Sequence, residues 1–238
     1  MIIAANLKTN LTRKETNKYL AEVESFVSSK NITQEVLVFP AMSSLDTHDT
    51  SIIVGAQNAY ATKDGAFTGE IGSVHLEEFA IKTILIGHSE RRHILGETQE
   101  ELAIKFNYYK DLGFKIVYCV GEPLEKRKAG KSEMMEYISS QYKGIDTEYK
   151  NLIIAYEPVW AIGTGLTPTL EDIQEIHTEL KEKSTAPLLY GGSVKVTNAK
   201  DVLALKNVDG ILVGSAALYG EHFCSMIEYA QELEGKEY

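Results

Sequence analysis

The chain is expected to fold as one α/β domain, a (β/α)8 barrel of eight parallel strands alternating with helices over residues 1–238. Three observations predict it. Eight short runs rich in Ile, Val and Leu recur along the whole length, at 2–5, 35–39, 52–55, 83–87, 115–119, 152–156, 187–191 and 210–214. Each is nearly continuously apolar rather than alternating, as in strands covered on both faces. Segments of helical periodicity lie between them, and strand–helix alternation means parallel strands joined by crossovers. Eight such units in 238 residues fit a closed barrel, with an open doubly wound sheet as the competing architecture. No Pro-, Gly- or Ser-rich linker divides the chain.

Taken in order, the first run leads to Asn6-Leu7-Lys8. A helix follows, opened by the capping-box pattern Thr12-x-x-Glu15 and carrying Tyr19, Val23, Phe26 and Val27 at helical spacing. The connection after the second run, around 41–48, is short and only faintly helical. The third run leads to Gln57-Asn58 and the glycine-flanked stretch Gly65-Ala66-Phe67-Thr68-Gly69-Glu70. The fourth ends in Gly87-His88-Ser89-Glu90-Arg91-Arg92. Thr98-x-x-Glu101 then opens a helix with Leu102, Phe106, Tyr109 and Leu112 on one face and Gly113 as its stop. The fifth run ends at Cys119, ahead of Gly121-Glu122-Pro123, and the sixth at Glu157. Thr169 precedes Leu170, Ile173, Ile176 and Leu180 at helical spacing. The seventh run ends in Gly191-Gly192-Ser193 and the eighth in Gly214-Ser215. Phe223, Met226, Ile227, Ala230 and Leu233 form the stripe of a last helix.

A formal net charge of −10 argues against nucleic acid or an anionic membrane as the main partner, though a local cationic site can still bind an anion. Two cysteines, Cys119 and Cys224, form no disulfide framework and suit a reducing cytosol. The first residues lack the length and basic flank of a signal peptide, and no run is long enough to span a membrane. The expectation is a cytoplasmic, soluble protein.

In such a barrel, functional groups gather at the carboxyl ends of the strands. That rule brings Asn6, Lys8, His88, Glu157, Ser193, Gly214 and Ser215 to one mouth. A Lys is ordinarily a solvated surface group, and Lys8 stands out only because it lies just past a buried strand. A lone His is more often structural, and His48, His75, His93, His177 and His222 are read that way; His88 differs because it directly follows a strand. The glycine-bearing seventh and eighth tips expose backbone N–H groups that can cradle a phosphate. After Glu157, the residues Pro158, Val159, Trp160, Ala161, Ile162, Gly163, Thr164 and Gly165 set an apolar block between a stiff backbone position and two free ones, the construction of a lid beside an acid or base. The plainer alternative is a strand followed by an ordinary hydrophobic loop.

Together these motifs resemble those of the triosephosphate isomerases, from one end of the chain to the other. The resemblance rests on Asn6-Leu7-Lys8-Thr9-Asn10, Gln57-Asn58, Gly65 to Glu70, Gly87 to Arg92, Ala155 to Gly165, Tyr190-Gly191-Gly192-Ser193-Val194 and Leu212-Val213-Gly214. It implies a barrel of the TIM type that interconverts dihydroxyacetone phosphate and glyceraldehyde 3-phosphate. It implies Glu157 as the base and His88 as a neutral electrophile. It implies that Lys8, helped by Asn6, stabilises the enediolate, with Glu90 as a supporting carboxylate. It implies that Gly163, Ser193, Gly214 and Ser215 bind the phosphate and that 158–165 closes over it. No metal or organic cofactor is implied. It further implies a homodimer in which Phe67 and Thr68 enter the partner's mouth. The chain departs from the family pattern at Leu7 and Thr9, at Leu166 and Pro168 after the lid, and at Ser215 in the last phosphate turn. Two other readings compete: another phosphate-binding barrel, such as a phosphosugar lyase or a biosynthetic isomerase, and a catalytically silent barrel used for binding. The first does not account for His88, Glu157 and the lid together; the second requires the loss of Lys8, His88 or Glu157.

Overall fold

The computed structural model describes residues 1–162 and 166–234. All eight apolar runs are strands: β1 (Ile2–Asn6), β2 (Glu35–Phe39), β3 (Ile53–Val54), β4 (Thr83–Ile86), β5 (Lys115–Val120), β6 (Leu152–Tyr156), β7 (Leu188–Tyr190) and β8 (Gly210–Val213). They form one parallel sheet in the order β3-β2-β1-β8-β7-β6-β5-β4. The two outer strands meet through a parallel bridge between Ala56 and Ile84, with the Ala56 N–H donating to Thr83 O at 2.9 Å and the Leu85 N–H to Ala56 O at 2.8 Å. The sheet thus rolls into a TIM barrel, which excludes the open doubly wound alternative.

The helices among the described residues are α1 (Arg13–Ser29), α2 (Ser73–Glu78), α3 (Ser89–His93), α4 (Gln99–Asp111), α5 (Leu124–Lys128), α6 (Lys131–Ser140), α7 (Leu170–Lys181), α8 (Val196–Leu203) and α9 (Gly220–Glu234). Both expected capping boxes form: Thr12 with Glu15 at the start of α1, and Thr98 with Glu101 at the start of α4. Leu112, expected on the buried face of α4, caps its end and is exposed. The connection at 41–48 holds only a short 3-10 turn, Met42–Ser44. No helix of the described residues is long and apolar enough to cross a membrane.

Two cores lie on the two faces of the sheet. Ala4, Leu37, Phe39, Leu85, Val117, Cys119, Ile153, Ala155, Leu189 and Leu212 fill the barrel. Their neighbours in each strand, such as Ile3, Val38, Ile84 and Ile154, pack outward against the helices. Burial on both faces is why the runs read as continuously apolar. The alternation also fixes the mouth. Side chains at i and i+2 share a face, so the inward series Ala4, then Ile153 and Ala155, continues to Asn6 and Glu157.

Candidate active site

Glu157 is 2% exposed, a carboxylate held below the rim of the barrel. Two glycines make room for it. A Cβ on Gly121 would lie 1.8 Å from the Glu157 carbonyl oxygen, and one on Gly191 would lie 2.9 Å from Glu157 Cγ. Its Oε2 accepts the Ser89 backbone N–H at 2.9 Å, and its Oε1 lies 3.2 Å from His88 Nε2.

His88 is the N-cap of α3, and its Nδ1 accepts the Glu90 backbone N–H at 3.2 Å. An amide proton aimed at Nδ1 leaves no place there for a ring proton. The imidazole therefore carries its hydrogen on Nε2, which donates toward Glu157. Helix start and ring tautomer are set by the same bond.

Lys8 occupies the left-handed region, with φ of 52°, a conformation that costs a side-chain-bearing residue free energy and is common at functional sites. Neighbours hold it there. Asn6 Oδ1 accepts the Lys8 N–H at 3.0 Å. Gln57 Nε2 donates to Lys8 O at 2.8 Å and to Phe39 O at 2.9 Å. The Lys8 ammonium forms an ion pair with Glu90, so Glu90 touches both Lys8 and, through its backbone, His88. Gln57 entered the sequence reading only as part of a motif; its grip on the Lys8 carbonyl needed the fold to be seen.

Asn6, Lys8, His88 and Glu157 line a cavity of about 640 Å³ together with Ser193, Gly214 and Ser215. The structure thus brings together Asn6, Lys8, His88, Glu157, Ser193, Gly214 and Ser215, with Glu90 behind Lys8. The same cavity is lined by Lys195, Tyr219 and His222, a place the sequence does not announce for them: His222 reads there as a structural histidine. Phe67 and Thr68 lie apart on an exposed loop, where the Phe67 ring rests 4.5 Å from that of Tyr60. Gly163, Thr164 and Gly165 lie outside the described residues.

The start of the 158–165 segment is clamped. Trp160 Nε1 donates to Glu122 Oε1 at 2.9 Å, and the Tyr156 hydroxyl donates to the same oxygen at 3.2 Å. The Val159 N–H donates to Glu122 O at 3.1 Å. Burial pushes the Glu122 carboxyl upward, against the pull of the Trp160 and Tyr156 donors. Burial likewise raises the Cys119 thiol, and the nearby Glu157 charge adds to it. Cys119 therefore packs behind Glu157 with its thiol held in the protonated form. Among the described residues no group of three or more His, Cys, Asp or Glu side chains is placed to hold a metal ion.

The chemistry on offer is a buried carboxylate, an imidazole N–H beside it, an ammonium and the glycine-bearing turns at 191–193 and 214–215 around one cavity. That set suits proton abstraction next to a carbonyl in an anionic substrate. Residues 1–230 match the family model described as triosephosphate isomerase. A triosephosphate isomerase of Sulfurimonas denitrificans is 72% identical over 236 residues, covering 99% of this chain and 98% of that protein. Proteins of the same name from a Sulfurovum species and from Wolinella succinogenes are 54% and 53% identical, covering 95% and 96% of this chain and 99% of each relative.

Proposed function

The chain belongs to the triosephosphate isomerase family, and on that premise we propose that Glu157, His88 and Lys8 carry its reaction. The enzyme is an isomerase that interconverts dihydroxyacetone phosphate and D-glyceraldehyde 3-phosphate, a step of glycolysis and gluconeogenesis. The observation that carries the assignment is the 3.2 Å approach of His88 Nε2 to Glu157 Oε1, in a cavity that Lys8 also lines.

Glu157 takes a proton from the carbon beside the substrate carbonyl and returns it to the neighbouring carbon. To do so, its carboxylate leaves the Ser89 amide and turns to the substrate. His88 donates from Nε2 to the carbonyl oxygen and moves a proton between the two substrate oxygens; a neutral imidazole in this role is an established feature of the family. The Lys8 ammonium faces the enediolate charge with Asn6 beside it, and Glu90 holds the ammonium in place. Preorganised charge of this kind is commonly the largest catalytic contribution. Ser193, Gly214 and Ser215 hold the phosphate. Gly163, which the family resemblance supplies, adds an N–H from the lid 158–165. Closure excludes water and keeps the enediolate from expelling its phosphate.

The reading extends to a single domain over 1–238, to a cytoplasmic enzyme whose Cys119 and Cys224 are both free, and to a homodimer built on Phe67 and Thr68. Phe67 is 42% exposed, and covering such a ring by a second copy removes apolar surface from water. The purified chain should isomerise glyceraldehyde 3-phosphate in the presence of a chelator. Glu157→Gln should lower kcat by about 10²- to 10⁴-fold, the usual worth of a general base, while glycerol 3-phosphate still binds. A folded wild-type chain without turnover would overturn the activity, and a Glu157→Gln enzyme close to wild type would overturn the base assignment.

A further inference from the structure

Residues 163–165 are flanked by two anchored stretches. On one side is the turn Val159–Ala161, which carries Trp160. On the other is the start of α7, fixed by the capping box of Thr169 and Asp172. One side chain of α5 reaches both. The Arg127 guanidinium lies over the Trp160 ring, 5.5 Å from its centroid, and its Nη2 donates to Asp172 Oδ1 at 2.5 Å. Its Nη1 approaches Met134 Sδ at 3.4 Å, which steadies it from α6. The other Asp172 oxygen, Oδ2, accepts the Thr169 N–H at 3.2 Å and its hydroxyl at 3.1 Å.

We propose that Arg127 is a positioning residue that ties the two ends of the lid to each other, through Trp160 on one side and Asp172 on the other. The inference rests on reading 158–165 as the lid of the isomerase. A bare surface ion pair would contribute little. This one differs because each partner has a second duty. Trp160 is fixed to Glu122 by its indole N–H, and Asp172 closes the first turn of α7. A shift of either end therefore costs the guanidinium a contact at the other. Arg suits the place because a planar cation can stack on indole and present N–H donors edge-on at the same time. A Lys could keep the ion pair but not the stacking geometry.

Trp160 is the one tryptophan of the chain, so its fluorescence reports the tie directly, with or without substrate. In unliganded protein, Arg127→Met should raise acrylamide quenching of Trp160 about twofold. Asp172→Ala should raise it too, although Asp172 is not the residue stacked on Trp160; it keeps the backbone N–H that caps on Thr169 Oγ1 at 3.1 Å. The double variant should add little to either single one. In turnover, Arg127→Met should lower kcat about tenfold, since hinge residues govern closing, and should raise phosphate release. That release is elimination from the enediolate: the carbon–oxygen bond to phosphate breaks, the electron pair leaves with the phosphate, and the enol product becomes methylglyoxal. Arg127→Lys should recover part of both. Unchanged quenching in folded Arg127→Met or Asp172→Ala would overturn the tie, whatever the assay shows. Absence of turnover in wild type would instead strike the isomerase reading, and the quenching comparison would still decide the tie.

Discussion

His177 shows what burial does to an imidazole with nowhere to put a second proton. It is fully buried, its Nδ1 faces Asn207 O at 2.9 Å, and its Nε2 has no partner. The Nδ1 hydrogen is thus donated to the carbonyl, and Nε2 is left bare between the rings of Tyr156 and Tyr190. Burial holds the ring down to about 4, against the pull of Asn207 and Asp209 and with a push from Lys181. The unfolded chain binds a proton at ordinary histidine values and the folded one does not. Stability from this group is therefore whole above about pH 6.5 and drains away toward pH 4, by about 3 kcal/mol in all. Thermal midpoints of wild type and His177→Asn from pH 7 to 4.5 check this: the wild-type midpoint should fall more steeply. In sequence, His177 and His88 differ only in place, one within a helical stripe and the other at a strand tip. That is enough to put one ring at the cavity and the other in the core. It is not enough for His222, which sits in the last helix and reaches the mouth because α9 begins there.

Elements were legible where local chemistry agrees with position. Strands covered on both faces leave continuous apolar runs, and all eight could be read. Thr12 and Thr98 announce their helices because the cap hydroxyl accepts the N–H of the third helical residue, a Glu, whose carboxylate accepts the cap N–H in return. Replacing Thr98 by Ala removes the acceptor for the Glu101 N–H, a bond of 3.3 Å, and should cost about 1 kcal/mol, measurable by denaturant unfolding with an unchanged slope. Short helices such as α5 and α8 escaped because two turns give too little periodicity to stand out. The site was legible at its strand tips, where the alternation of inward side chains places Asn6 and Glu157. Gln57 and Glu122 were visible as residues but mute as to role, because their grips on Lys8 and Trp160 join stretches far apart in the chain.

At the scale of the molecule, the loop bearing Phe67 and Thr68 projects from the barrel, with every residue from 63 to 70 exposed. If a second copy covers it, Phe67→Asp should shift the molecule toward monomer in light scattering and lower activity, whereas a fully active wild-type monomer would end the dimer reading. The cylinder itself is uneven around its circumference. The β5–β6 joint is laddered over five residue pairs, Ile116 to Val120 against Leu152 to Tyr156. The β3–β4 joint rests, among the described residues, on the bridge of Ala56 and Ile84. A tube closed by one such clasp has a preferred line of rupture. Warmed or strained, the barrel should part there first, and the amides of Ala56 and Leu85 should be among the first in the sheet to trade their hydrogens for deuterium.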